Sequence, residues 1–206
     1  MAYGSWPKPN VTTALFLMNW LKRFAGMAII AGGVCVVKAA YIPAKGVAAK
    51  LLMERAWSQS QRQGRAILPW HSLDARPLAR LSIPRLNKSE ILLDVDSGQA
   101  LGFAPSHMSE TPRPGEPGLS VIAAHKNTHF AFLEHLKLGD VIEIENINGR
   151  KTEFKITHFD IVDKDNSGID LNAPKQIAKI ALVTCYPFSA LSYGGPLRYV
   201  VYGKAV

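Results

Sequence analysis

Cysteine is nearly absent from this chain: Cys35 and Cys185 are its only two among 206 residues. One lies inside an apolar N-terminal run and the other near the C-terminus, settings too different for a disulfide framework. Each thiol therefore has to be read from its own surroundings. The chain also lacks any basic cluster interleaved with aromatic side chains, although Lys and Arg outnumber Asp and Glu by 24 to 16, for a net charge of +8. Scattered positive charge of that kind argues against nucleic acid as a partner. It suits an anionic membrane surface or cell-envelope polymer, or a basic face that meets only water. No internal repeat and no low-complexity tract is present, which excludes a solenoid or a biased linker array.

Charge is missing altogether from residues 24–37, FAGMAIIAGGVCVV. Ala39 to Ile42 carry the apolar character past Lys38, so residues 24–42 reach the ~20 positions a membrane helix needs if Lys38 snorkels. Lys22 and Arg23 precede the run with no acidic residue before them, which suits a cytoplasmic segment over residues 1–23. Lys45, Lys50 and Arg55 on the far side pull the other way. A cleaved secretory signal is the rival reading, with Val37 and Ala39 as the small residues before a cut. The expectation is an uncleaved anchor with the bulk of the chain exported. Beyond it, residues 47–63 contain no Pro or Gly, and Val47, Leu51, Leu52 and Ala56 recur at helical spacing. A helical stalk is predicted there. Gly64 and the Pro69-Trp70 region end it, so residues 43–74 form stalk and linker and residues 75–206 a domain large enough to bury a core without a metal or disulfide.

That domain has a β pattern. Arg80 to Ile83 alternates before Pro84 terminates it. Val141 to Asn146 and Lys151 to Phe159 flank Asn148-Gly149, a dipeptide that favours a tight hairpin because both residues tolerate positive φ. Ser120 to Ala124, Ile177 to Thr184 and Leu197 to Tyr202 are nearly continuous apolar runs, and only Phe130 to Leu136 reads as helical. Short strands at such spacing predict a closed or sandwiched β-fold.

Three residues stand where these runs begin or end. Cys185 follows the apolar strand in ALVTCYPF, so its thiol is either a small packed residue or a nucleophile that needs a neighbouring base or cation to gain thiolate character. His125 ends SVIAAH and is followed by a polar turn, Lys126-Asn127-Thr128. It is a candidate for proton transfer, or a hydrogen-bonded surface histidine. Arg198 enters the last strand after Gly194-Gly195-Pro196. Its guanidinium presents a fixed fork of donors suited to an oxyanion or a peptide backbone, or it is a solvated strand-edge charge. Other groupings carry less. His125, His129 and His135 suggest zinc, but no glutamate base accompanies them. The run Asp163 to Gly168 opens like a calcium loop, yet Pro174 stands where the bidentate glutamate belongs. Asp94 and Asp96 share a face of a strand-like stretch without further company.

Together these segments resemble the sortases, the membrane-anchored cysteine transpeptidases of bacterial envelopes, and most nearly the class found in Gram-negative bacteria. LVTCYPF resembles the family's nucleophile strand, GEPGLSVIAAHKNTHFAFLEHLKLGD its histidine region, and GGPLRYVV its arginine strand. Glu54-Arg55-Ala56-Trp57 and Pro69-Trp70 are similar to the stalk and linker of that class. One departure is Ala124, where many members have Gly before the histidine; a methyl there is expected to narrow the approach to His125. The resemblance implies a mainly β fold, an eight-stranded barrel preceded by a transmembrane helix and helical stalk. It implies Cys185, His125 and Arg198 around one groove, with Thr184 and Ala124 beside the substrate. It further implies an extracytoplasmic domain on a single-pass inner-membrane anchor, a substrate protein with an LPXTG-like C-terminal sorting signal, and an amine-bearing envelope acceptor. No metal or organic cofactor is required by that chemistry. A Cys-His peptidase or amidase that lets water resolve the acyl-enzyme, and a tethered β-barrel binding module, are the competing readings.

Overall fold

The computed structural model describes residues 11–95, 98–169, 176–189 and 195–206. Asp96, Pro174, Gly194 and the first ten residues of the expected cytoplasmic segment lie outside them. One helix, α1, spans Val11–Gln63 and includes Pro43. The chain divides into two compact units, Met1–Ala48 and Ala49–Val206. By length and composition α1 is long and apolar enough to cross a membrane.

The second unit is an eight-stranded closed barrel: β1 (Ala75–Ile83), β2 (Lys88–Val95), β3 (Ser106–His107), β4 (Gly118–Ala123), β5 (Val141–Asn146), β6 (Lys151–Asp163), β7 (Ala178–Cys185) and β8 (Leu197–Ala205). Around the barrel they run β1-β2-β3-β4-β7-β8-β6-β5, with β5 pairing back onto β1. Pairing is parallel between β2 and β3 and between β4 and β7, and antiparallel elsewhere. Alternation sets the interior: Ile122, Ile142, Ile144, Phe154, Ile156, Ile180, Leu182 and Val201 form one core with Phe130 and Leu133. On the outer face of β4, β7 and β8 a second cluster gathers Leu119, Val121, Ala181 and Val200. Strands buried on both faces read as unbroken apolar runs, which is why β4 and β7 show no polar alternation in the sequence.

The stalk is helical as its spacing predicts, and its second half packs on the barrel wall. Met53, Ala56, Trp57 and Ser60 are buried, whereas Val47 and Leu51 are exposed. The i, i+3, i+4, i+7 spacing of that set is the helical face. Met53 and Trp57 join Leu73, Ala75, Ile91 and Leu93 in a third cluster. Glu54 accepts a 2.6 Å hydrogen bond from Arg80, and Gln61 donates to Glu145. Gly64 then takes a positive φ of 64° and stops the helix.

Other local readings shift as well. The β5–β6 hairpin turns through three residues, not two: Asn146 N–H bonds Arg150 O, Gly149 N–H bonds Asn146 O, and only Gly149 has positive φ, at 77°. The Asn146 side chain accepts from both Asn148 and Arg150 N–H and closes the turn. The helical reading near Phe130 resolves to a single 3-10 stretch, Ala131–His135. After β1, Arg85 reaches across to Asp140 with Nε at 2.6 Å and Nη2 at 2.7 Å, while Lys137 N–H adds a third bond to that carboxylate. The Arg85 guanidinium holds the Asp140 carboxyl below the usual carboxylate range.

Two expectations follow. A carboxyl held low in the folded state stabilises it above the unfolded carboxylate range, and that stability is lost as pH falls. Unfolding free energy should therefore drop between about pH 5 and pH 2 more steeply in the wild type than in Asp140→Asn, measured by urea titration at each pH. Gly203 faces the core, where an added Cβ would sit 3.0 Å from Ile180 Cγ2 and 3.2 Å from Phe154 Cβ. Gly203→Ala should cost about 1–3 kcal/mol by overpacking, seen as a lower urea midpoint with unchanged slope.

Candidate active site

Three adjacent strands carry the residues singled out above. β4 and β7 run parallel in a register that pairs Ile122 with Leu182 and Ala123 with Val183. The ladder continues one step further, with Ala124 N–H donating to Val183 O at 3.2 Å. His125 follows directly, two residues past the last pair, as Cys185 does on β7. On the other flank β8 pairs directly: Cys185 opposes Arg198. Tyr186 N–H bonds Leu197 O at 3.0 Å, so the Cys185–Arg198 pair is of the closer, non-hydrogen-bonded kind. Neighbouring strands lie about 4.8 Å apart. A thiol is thus set between an imidazole-bearing and a guanidinium-bearing strand.

Alternation fixes which way they face. Ile180, Leu182 and Val201 point into the barrel, and Ala181 and Val200 point out. Cys185 and Arg198 share parity with the outward set, and His125 shares it with outward Val121. The floor beside them is the outer cluster, against which Val162, Val183, Tyr202 and Ile169 pack. His125 is exposed, while Cys185 and Arg198 are half-buried. Arg198 Nη1 donates to Gly195 O at 2.6 Å and Leu197 O at 2.9 Å, folding its fork onto the entry of its own strand. Among the described residues, Cys185 makes no hydrogen bond to His125 or Arg198. The backbone aligns the three, and the side chains are not yet joined. Catalytic hydrogen bonds are commonly loose before substrate arrives.

Thr184 and Ala124 face the interior, 2% and 7% exposed. The Thr184 hydroxyl donates to Ala124 O at 2.7 Å, a clasp between the residue before the cysteine and the residue before the histidine. The Ala124 methyl joins the barrel core and does not narrow the approach to His125, because alternation sends the two side chains to opposite faces. The turn after His125 is not simply polar. Phe130 N–H returns to His125 O at 3.1 Å, Phe130 is fully buried, and Lys126 is only 7% exposed. Lys126 Nζ donates to Pro187 O at 2.7 Å, just past the cysteine. His129, read from sequence only as one of a zinc-like trio, instead lies with Nδ1 2.9 Å from Glu90 of β2. Local sequence carries no signal for the Lys126 and His129 contacts, since each joins distant segments.

Aromatic rings close the barrel end beneath the cysteine. Tyr199 lies 5.3 Å from Phe188, 5.9 Å from Phe159 and 6.2 Å from Tyr186 between ring centroids. Burial, with a smaller contribution from Tyr186, pushes the Tyr199 phenol up, so it stays protonated. A separate cleft of about 430 Å³, lined in part by Arg65, Arg113 and Arg150, sits at the opposite end of β6, beside Thr152 and far from this face.

A family model described as the Sortase domain matches residues 81–206. No curated protein matches the chain. Among solved structures it is similar to sortase C1 of Streptococcus agalactiae in complex with MTSET, at 24% identity over 63% of this chain and 67% of that one, with a TM-score of 0.55. It is similar to sortase A from Corynebacterium diphtheriae, at 22% identity over 66% of this chain and 63% of that one, with a TM-score of 0.57. Sortase C-1 from Actinomyces oris gives 25% identity over 63% of this chain and 72% of that one, with a TM-score of 0.55. The chain spans about two thirds of the length of these structures. Such likeness carries the fold, an eight-stranded barrel of the sortase type. The domain match covers more than half of the residues, and the chain belongs to the sortase family.

Proposed function

We propose that this protein is a cysteine transpeptidase that cuts a sorting signal near the C-terminus of a substrate protein and passes the new acyl group to an amine. The observation that supports this reading is that Cys185 pairs opposite Arg198 on β8, while β4, which pairs with β7 as far as Ala123 and Val183, ends two residues before His125. Cys185 passes its thiol proton to His125 and attacks a threonyl carbonyl of an LPXTG-like signal, giving a tetrahedral oxyanion. The C–N bond breaks as His125 delivers a proton to the departing amine, leaving a thioester on Cys185. An amine from the envelope acceptor then attacks the thioester, yields its proton to His125, and releases the thiolate. Arg198 serves by exchanging the carbonyls of Gly195 and Leu197 for the oxyanion or the substrate backbone. Thr184 and Ala124 contribute through their mutual clasp and their backbone rather than by touching substrate with side chains.

In this reading residues 1–23 are cytoplasmic, residues 24–42 anchor the chain in the inner membrane, residues 43–74 are stalk and linker, and residues 75–206 work outside the cytoplasm. The long apolar helix supports the anchor. Membership of the class found in Gram-negative bacteria rests on the motif resemblance around Cys185, His125 and Arg198.

Incubation with a sorting peptide, with and without an added amine, tests the chemistry. Product that requires the amine is expected, with a thioester on Cys185 found by mass spectrometry; equal product without it would mean a hydrolase. Cys185→Ala should abolish turnover with the fold intact. Arg198→Lys should lower kcat/KM by on the order of 100-fold, because an ammonium cannot reproduce the planar fork. Near-normal turnover in Arg198→Lys would remove that role.

A further inference from the structure

Lys126 is a buried charged residue that bridges two loops beside the candidate site. Its residue is 7% exposed, yet its ammonium is among the costliest groups to take out of water. An apolar side chain of similar length would fill the same space, and buried ion or cation sites are often neutral or more stable when so replaced. Lys126 stands immediately after His125, and its Nζ donates to Pro187 O at 2.7 Å, two residues after Cys185. Tyr186, between them, donates its N–H to Leu197 O beside Arg198. One side chain thus ties the histidine turn to the cysteine turn, and the cysteine turn is already tied to the arginine strand. The Thr184–Ala124 clasp joins the same two segments inside the barrel. His129 and Glu90 pin the far end of the histidine turn.

We propose that Lys126 is a positioning residue that holds the turn carrying His125 beside the turn that follows Cys185, so that imidazole and thiol can meet once substrate binds. This rests on the reading of Cys185 and His125 as the reacting pair. His125 sits beyond the last β4 pair, is exposed, and has no ladder of its own to fix it. The turn after it must supply its orientation. With the ammonium seated on the Pro187 carbonyl, the two turns are held together, which shortens the search for the near-attack geometry when substrate binds. Without it, the imidazole moves independently of the sulfur.

The test is a double-mutant cycle on the full-length protein in detergent. The rate of Cys185 alkylation by iodoacetamide is followed against pH by peptide mass spectrometry, which separates it from Cys35. His125→Ala is expected to change that rate at near-neutral pH by on the order of tenfold. Lys126→Met should give a comparable change, and the double variant should do no more than either alone. In turnover, Lys126→Met should lower kcat by about 10- to 100-fold with KM nearly unchanged, and Lys126→Arg, which keeps a donor and a charge, should recover most of the loss. Thermal unfolding of each variant is recorded in parallel; should Lys126→Met not fold, Lys126→Gln, whose shorter stem falls short of Pro187 O, takes its place in the cycle. Effects of Lys126 and His125 that multiply independently would overturn the positioning role while leaving the pair intact. No effect of His125→Ala on Cys185 alkylation would instead remove the reacting pair itself, and this proposal with it.

Discussion

Strand register is the constraint on which the rest depends. β7 is held on one side by a parallel partner and on the other by an antiparallel one, and only that combination brings the C-terminal ends of β4 and β7 to the N-terminal end of β8. A slip of one residue in either ladder would turn Cys185 toward the interior now occupied by Thr184 and Leu182. The register resists this because both faces are buried. Ile180 and Leu182 need the core, Ala181 needs the outer cluster, and no shifted pairing satisfies both.

The site therefore lies on the outer wall of the barrel, with the rigid interior beneath it. The Thr184 hydroxyl, the Lys126 ammonium and the His129–Glu90 pair each join segments far apart in sequence, and each sits within a few residues of Cys185 or His125. Polar groups placed there are expensive unless partnered, so their presence marks where the fold gives up apolar packing for position. On the opposite wall the stalk plays a purely structural part, with Trp57 fully enclosed and Arg80 bridging to Glu54.

How much of this could be read from the chain depended on the range of the interaction. β5 and β8 start where their apolar runs start, and Pro84 ends β1 as its fixed φ requires. β7 extends to include Cys185 itself, and β6 runs on to Asp163, because a paired neighbour, β8, supports residues whose own pattern had lost its alternation. β2 begins with Lys88, Ser89 and Glu90 and gave no apolar signal at its start; β3, two residues long, gave none at all. The stalk's helical spacing was legible, but which face packs was not, because Val47 and Leu51 are as apolar as Met53 and Trp57 and only the wall they meet separates them.

Most of the strands, the anchor-like helix and the choice of Cys185, His125 and Arg198 as candidates came from local pattern and motif, since turn residues and apolar runs act over a few positions. Tertiary structure alone decided that Thr184 and Ala124 face inward, that the Arg198 fork rests on Gly195 and Leu197, and that a buried lysine bridges two loops. Those outcomes depend on which segments lie side by side. A register between strands sixty residues apart is set by burial on both faces of the completed sheet, and no stretch of the chain read by itself contains it.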